Sequence, residues 1–305
     1  MCLKPWTSWR RKVVPAIVKW PKEDGGGDGK MDNENKTCDP DHSVPGGDRS
    51  ASFPATEPIL EYPVCCMGLQ DCLDEIVSWL NQRNRARYFV CANPHSLVVA
   101  RTDAQFRQAI LESDLIVADG AGIVLASRLL GGTIPYRVTG FDLFMGVSEV
   151  LSAMSGMRCF FLGSTPDTLE KIKDRMAVRF PRLEVVGCYS PPFVSDFSSE
   201  ENDRMLQAIH QARPHVLWVG LTAPKQEKWI HAHIHRLEVP IVGPIGAVFD
   251  FFTGKVHRSA PVFQHLGLEW LPRLIQNPRH LWKRTFVSAP IFLWAVLRQR
   301  LSSLL

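Results

Sequence analysis

The residues best suited to chemistry lie in two blocks, Asp119-Gly120-Ala121-Gly122 and Arg137-Val138-Thr139-Gly140-Phe141-Asp142. The first follows the apolar run 115–118 and leads into a helix-like segment, so it reads as strand, glycine turn and helix. An acid where a strand of an open parallel sheet ends, beside glycines that let a ligand approach the backbone, lies where such folds bind their ligands. Desolvation at the mouth of a cleft can lift such a carboxylate toward the working range of a general base. The same position also suits an Asp that caps the following helix.

The elements that must hold these residues follow an α/β pattern. From residue 88 onward short runs rich in Val, Ile and Phe alternate with longer amphipathic stretches, as in a Rossmann-like, mostly parallel sheet with helices on both faces. Six strands are expected, at 88–92, 115–118, 158–162, 184–188, 216–219 and 241–242 or slightly beyond. Thr102-Asp103-Ala104-Gln105 and Ser198-Ser199-Glu200-Glu201 have capping-box spacing, so helices should begin near 103 and 199.

Three zones divide the 305 residues. Residues 1–58 form a tail and linker: 1–21 carry five basic residues, Trp6, Trp9 and Trp20 and no acid, whereas 22–52 are too polar and glycine-rich to offset their own ordering entropy. The apolar stretch 13–18 is short and interrupted by Pro15, which does not fit a cleaved secretory signal. Residues 59–254 are the expected α/β core, and 255–305 a basic helical appendage with eight Lys and Arg against Glu269 alone, a net charge of +7 before histidines. Within it residues 286–297 are uncharged, mostly apolar and bent at Pro290. At ~1.5 Å per residue that run is too short to span a bilayer, so it is expected to lie in the headgroup plane, the alternative being a terminal helix packed on the sheet. The eight cysteines show no C-x-x-C spacing, which fits a reducing compartment, and Cys91, Cys159 and Cys188 fall in expected strands.

Further blocks accompany the two above: Ala92-Asn93-Pro94, Gly220-Leu221-Thr222-Ala223-Pro224-Lys225-Gln226-Glu227-Lys228-Trp229, Gly243-Pro244-Ile245-Gly246-Ala247-Val248-Phe249-Asp250, and Arg258-Ser259-Ala260-Pro261 leading to Leu268-Glu269-Trp270. In this order and spacing they resemble the WecG/TagA/CpsF glycosyltransferases, glycosyltransferase family 26, over residues 59–305. The resemblance implies that Asp119 is the base that takes the acceptor hydroxyl proton. It also implies that Asn93 belongs to a donor or acceptor site, the alternative being a turn residue ahead of Pro94. Arg137 matches the family arginine that grips phosphate or a sugar carboxylate, unless it pairs with Asp142 at the surface. Where many relatives carry Thr this chain has Cys91, a poorer hydrogen-bonding group. Gln226, Glu227 and Asp142 are substrate-site candidates, Lys225 adds charge, and Trp229 reads as core; a solvated first helical turn is the plain alternative for Glu227 and Lys228. Gly163-Ser164-Thr165 and the 243–246 turn also end strands and are suited to approach the nucleotide.

No metal or cofactor is expected. The only Asp-x-Asp triplet, Asp39-Pro40-Asp41, sits in the linker, and His231, His233 and His235 lack a matching carboxylate motif. Charge on the leaving diphosphate would then be met by Arg258, Arg273 and Arg279. By resemblance the chain is an inverting enzyme moving an N-acetylmannosamine, its uronic acid, or a glucose-type sugar. The donor is a UDP-sugar and the acceptor a polyprenyl-diphosphate-linked saccharide, at the inner face of the cell membrane. A membrane surface is thus an expected partner, nucleic acid is not, and self-association stays open. Two other readings remain: a nicotinamide dehydrogenase, against which Leu125 replaces the third glycine of the fingerprint, and a non-catalytic membrane scaffold.

Overall fold

The computed structural model describes residues 54–82, 85–256 and 282–303. It opens with a hairpin, β1 (Thr56–Ile59) and β2 (Tyr62–Cys65), paired antiparallel, followed by α1 (Leu69–Ser78). Next come β3 (Arg87–Ala92), α2 (Pro94–Ala100), α3 (Ala104–Leu111), β4 (Leu115–Ala118), α4 (Ala121–Leu130) and α5 (Gly140–Ala153). The alternation continues through β5 (Arg158–Gly163), α6 (Pro166–Arg179), β6 (Glu184–Tyr189), α7 (Ser199–Ala212), β7 (Val216–Gly220), α8 (Lys225–His233), β8 (Ile241–Pro244) and α9 (Val248–Phe252). A π-helical stretch, Lys283–Ser288, runs into α10 (Ala289–Ser302).

All six expected strands form, and they make one parallel sheet in the order β4-β3-β8-β7-β5-β6. The hairpin was not expected. Pro54, Pro58 and Pro63 break up its sequence pattern, and ordered structure therefore starts ahead of Ile59.

Alternate side chains along each strand enter different layers. Phe89, Phe161 and Trp218 point toward α5 and α9, where they pack edge-on against one another and against Phe144 and Phe249. Gly243 permits this, because a Cβ there would come 2.4 Å from the Trp218 ring. Their neighbours Tyr88, Val90, Phe160, Leu162, Leu217, Val219 and Val242 join the other layer of the core, with Met205 and Leu206 of α7 and Trp229 and Ile230 of α8. Trp229 is thus core as expected, and its indole N–H donates to Asn202 Oδ1 at 2.9 Å.

Helix ends refine the expectations. The cap of α3 is Asp103, one residue beyond the Thr102 that the capping-box spacing suggests; its carboxylate accepts from the Phe106 amide at 2.9 Å and from Lys228 at 3.0 Å. Ser198 caps α7 as expected. Pro290 lies within a continuous helical run, just where π geometry gives way to α, so its missing N–H coincides with that change.

The α10 helix packs against the fold through one side, as the alternative reading of the apolar run has it. Phe292 and Val296 are buried against α2 and α4, and Gln299 accepts from the Leu60 amide and donates to the Pro58 carbonyl of the hairpin. Phe286, Ile291, Leu293, Trp294, Leu297 and Leu301 remain exposed, Trp294 at 59 %. The adjoining α4 adds exposed Leu125 and Leu129. No helix among the described residues is long and apolar enough to cross a membrane.

Candidate active site

Among the described residues, the expected site residues follow the carboxyl ends of the strands. The Asp119 amide donates to the Ala92 carbonyl at 2.8 Å, prolonging the β3–β4 ladder and setting Asp119 beside Asn93. Gly122 lets the two turns touch, since a Cβ there would lie 2.4 Å from Pro94 Cγ. Helix α4 has Gly120, at φ +99°, in its N-cap position, one residue beyond Asp119. Asn93 does cap: its Oδ1 accepts from the Ser96 amide at 3.1 Å while Ser96 Oγ accepts from the Asn93 amide, with Pro94 at the first helical position.

The Arg137 block runs along the end of β4, where the Val138 amide donates to the Ala118 carbonyl at 2.8 Å. Asp142 is the third residue of a capping box: Thr139 Oγ1 donates to its carboxylate at 2.6 Å and accepts from its amide. This box anchors the chain that carries Arg137. Gly140 then passes over Cys91, whose Sγ would lie 3.4 Å from an added Cβ.

On the other half of the sheet β5 and β7 are neighbours whose following helices enter opposite layers, α6 beside α9 and α8 beside α3. Such a switch point opens a crevice where α/β sheets take ligands. Both loops there carry non-glycine residues in the left-handed region, Ser164 at φ +59° and Thr222 at φ +65°. The Ser164 amide donates to the Gly220 carbonyl, and the Ile245 amide donates to the Val219 carbonyl at 2.9 Å, joining the ends of β5, β7 and β8. A cis peptide bond precedes Pro224.

Helix α8 then brings in Gln226 and Glu227. The expected alternative for Glu227, a solvated first turn, fails: Gln226 and Glu227 are each only 5 % exposed. Gln226 Nε2 donates to Glu227 Oε1 at 2.9 Å, while Gln226 Oε1 and Glu227 Oε2 are buried without a hydrogen-bond partner. Burial pushes the Glu227 carboxyl up to about 7. Lys225 is turned away from this pair; its Nζ donates to the Val194 carbonyl at 2.6 Å and sits over the Phe197 ring.

Cys91 links the two halves. Burial is the main cause that lifts its thiol well above its ordinary range, and the nearby charges of Asp119, Glu227 and Asp142 add to it. Arg258, Arg273 and Arg279 lie outside the described residues, as does the Asp39-Pro40-Asp41 triplet. His231 meets Glu112 at 2.8 Å and the His233 ring stacks on Trp229. Among the described residues no group of three His, Cys, Asp or Glu is placed to hold a metal. A shallow cleft lined by Leu60, Arg101, Trp294 and Gln299 lies at the far end of α2 from Asn93, away from these carboxylates.

Sequence reasoning missed the burial of Glu227, although the signal was present. On a helix Gln226 shares a face with Trp229 and Ile230, three and four positions on, and Glu227 with Ile230, three positions on.

A parallel α/β sheet with an acid and an asparagine at adjoining strand ends has them where open α/β folds take their ligands. Residues 57–304 match the glycosyl transferase WecG/TagA/CpsF family, and the chain belongs to that family of glycosyltransferases. Among its relatives is the N-acetylglucosaminyldiphosphoundecaprenol N-acetyl-beta-D-mannosaminyltransferase of Bacillus spizizenii strain W23, 29% identical over 248 residues, or 81% of this chain and 93% of the relative. Proteins of the same description from Bacillus subtilis strain 168 and Staphylococcus aureus strain MW2 are 28% and 27% identical, covering 80% and 72% of this chain and 92% and 83% of their own lengths.

Proposed function

We propose that this glycosyltransferase moves a hexose-type sugar from a UDP-sugar to a polyprenyl-diphosphate-linked saccharide, with inversion at the anomeric carbon and without a divalent metal. The observation that carries this is the juxtaposition of Asp119 and Asn93 at the ends of β3 and β4, in a chain whose relatives are described as transferring N-acetylmannosamine to such a lipid-linked acceptor. Asp119 takes the proton of the acceptor hydroxyl as its oxygen attacks the anomeric carbon. The bond from that carbon to the diphosphate oxygen breaks, and UDP leaves. Arg137, Arg258, Arg273 and Arg279 meet the charge that develops on the diphosphate, which is the role a metal would otherwise fill. Asn93, Asp142, Gln226 and Glu227 surround the reacting sugars.

The acceptor's lipid lies in a bilayer, and the exposed apolar side of α10 with Lys283, Arg298 and Arg300 is suited to the headgroup region of the cytoplasmic leaflet. The test is UDP release from a panel of UDP-sugars with polyprenyl-diphosphate-linked N-acetylglucosamine as acceptor. Release that depends on both substrates and is lost in Asp119→Asn supports the assignment, and acceptor-independent turnover at the same rate refutes it.

A further inference from the structure

We infer that the cleft between the hairpin, the end of α2 and α10 is a binding site for the phosphate of an acidic glycerophospholipid, held by Arg101 and Arg298 beside Trp294. The inference rests on the membrane contact proposed above and narrows it from a general attraction to a defined site, one that draws an arginine from the α/β core.

The cleft measures about 330 Å³, at the small end of the range for ligand clefts. Polar contacts fix its walls. Gln299 accepts from the Leu60 amide at 2.8 Å and donates to the Pro58 carbonyl at 2.9 Å, which fastens α10 to the hairpin turn. Glu61 on that turn is taken up by Arg107, whose Nε donates to its carboxylate at 2.9 Å and holds it below the usual carboxylate range. The one acid lining the cleft is thus neutralised from outside. Arg101, at the C-cap of α2, acts on Glu61 only as a further charge. Arg298 lies one turn after Trp294, with its guanidinium 5.7 Å from the centre of that ring. Among the described residues neither Arg101 nor Arg298 closes an ion pair of its own, so two guanidinium forks are left for an anion in one small cleft.

The adjoining surface says which anion. Trp294, Leu297 and Leu301 are exposed at helical spacing along α10, and Arg298 and Ser302 form the next row, at the cleft. A soluble phosphate would occupy the arginines and leave that apolar row in water. In a phospholipid the phosphate is joined through glycerol to acyl chains, so a phosphate on Arg101 and Arg298 lays its chains along Trp294, Leu297 and Leu301. The Trp294 ring, apolar in body with one N–H, suits the boundary between the two, and the arginine stems can lie along the chains while their heads stay at the phosphate. The cleft lies at the far end of α2 from Asn93, so this lipid is not the acceptor.

Isothermal titration of the full chain with a short-chain phosphatidylglycerol, kept below its micelle concentration, tests the site without a bilayer. The unaltered chain should bind it. Arg101→Gln and Arg298→Gln should each weaken binding about 10-fold, the scale of one charge-assisted hydrogen bond, and Arg128→Gln should change it by less than about twofold. Arg128 is the charge-matched control, exposed on α4 between Leu125 and Leu129 and outside the cleft. All three arginines are exposed, and melting curves check that each variant folds. Equal weakening in the three variants would overturn the inference by reducing the site to diffuse charge. Glycerol phosphate that binds as tightly as the lipid would overturn the lipid assignment in favour of a soluble phosphate. Sedimentation with phosphatidylcholine vesicles containing phosphatidylglycerol separates the site from the membrane reading: vesicle binding without binding of the short-chain lipid would remove the site and leave the membrane contact, and binding of neither would remove both.

Discussion

Glu227→Gln should make the ligand-free protein more stable at alkaline pH. The folded protein holds the Glu227 carboxyl at about 7 against an ordinary value of 4.5, and burial is the main cause. At about 1.4 kcal/mol per pH unit, this raised pKa corresponds to roughly 3 kcal/mol. The sign follows from the direction: a carboxyl raised on folding contributes stability that is fully present below about 4.5 and is lost as pH rises through about 7. The glutamine variant has no charge to bury. Its advantage over the unaltered chain should therefore open between about pH 4.5 and 7 and level off above. For a domain of this size, at about 2–4 °C per kcal/mol, the gap should approach on the order of 5–10 °C in melting temperature. Cys91 and Tyr88 of β3 feel the Glu227 charge but are raised above their ordinary values and stay protonated over this range, and Asp119, the Asp103–Lys228 and Glu112–His231 pairs and His233, which burial lowers, are common to both proteins. Thermal melts of both proteins from pH 4.5 to 8.5, without nucleotide, measure it. Parallel melting curves across that range would refute the claim that Glu227 is an acid held charged at a cost.

Asp119→Asn should leave melting unchanged and lower transfer by about 100-fold or more, the scale of losing a general base; full turnover by that variant removes Asp119 from the mechanism. Transfer should survive EDTA, and chelation that abolishes turnover with recovery on adding Mg²⁺ or Mn²⁺ would replace the arginine account of leaving-group stabilisation. Combining Trp294→Ser with Leu297→Ser should weaken sedimentation with anionic liposomes at constant melting temperature, because both side chains are exposed; unchanged sedimentation moves the membrane contact elsewhere. Phe292→Ala, by contrast, should cost about 3–5 kcal/mol in chemical denaturation because that ring is buried under α10.

Strands were the most legible part of the sequence. Leu115–Ala118 and Val216–Gly220 are covered on both faces, so they read as unbroken apolar runs that no helix of that length would show. The β1–β2 pair was not legible, since it is held by pairing with itself and by the distant Gln299, and its prolines interrupt the alternation. Asp119 and Asn93 were legible as residues that follow strands, but their adjacency comes from the pairing of β3 with β4, which no local pattern encodes. Glu227 was harder. Charge in a first helical turn ordinarily means solvent, and only the full face of α8 shows otherwise. Which two acceptor atoms lack partners depends on the fold of three loops, and no local pattern encodes that.

The strand order bears on how the protein comes into being. β8, four residues long and last of the six in the chain, lies between β3 and β7. Until it is made, β3–β4 and β5–β6–β7 have no strand connecting them, and the inner edges of β3 and β7 stay unpaired. About 150 residues separate the end of β3 from the start of β8, which at roughly 5–20 residues per second is on the order of 10–30 s of synthesis. Asn93 and Asp119 belong to one half, Ser164 and Thr222 to the other. A nascent chain therefore has two exposed sheet edges and no assembled site, and a substitution in β8 that slows its insertion should reduce soluble yield more than it reduces the stability of the finished protein.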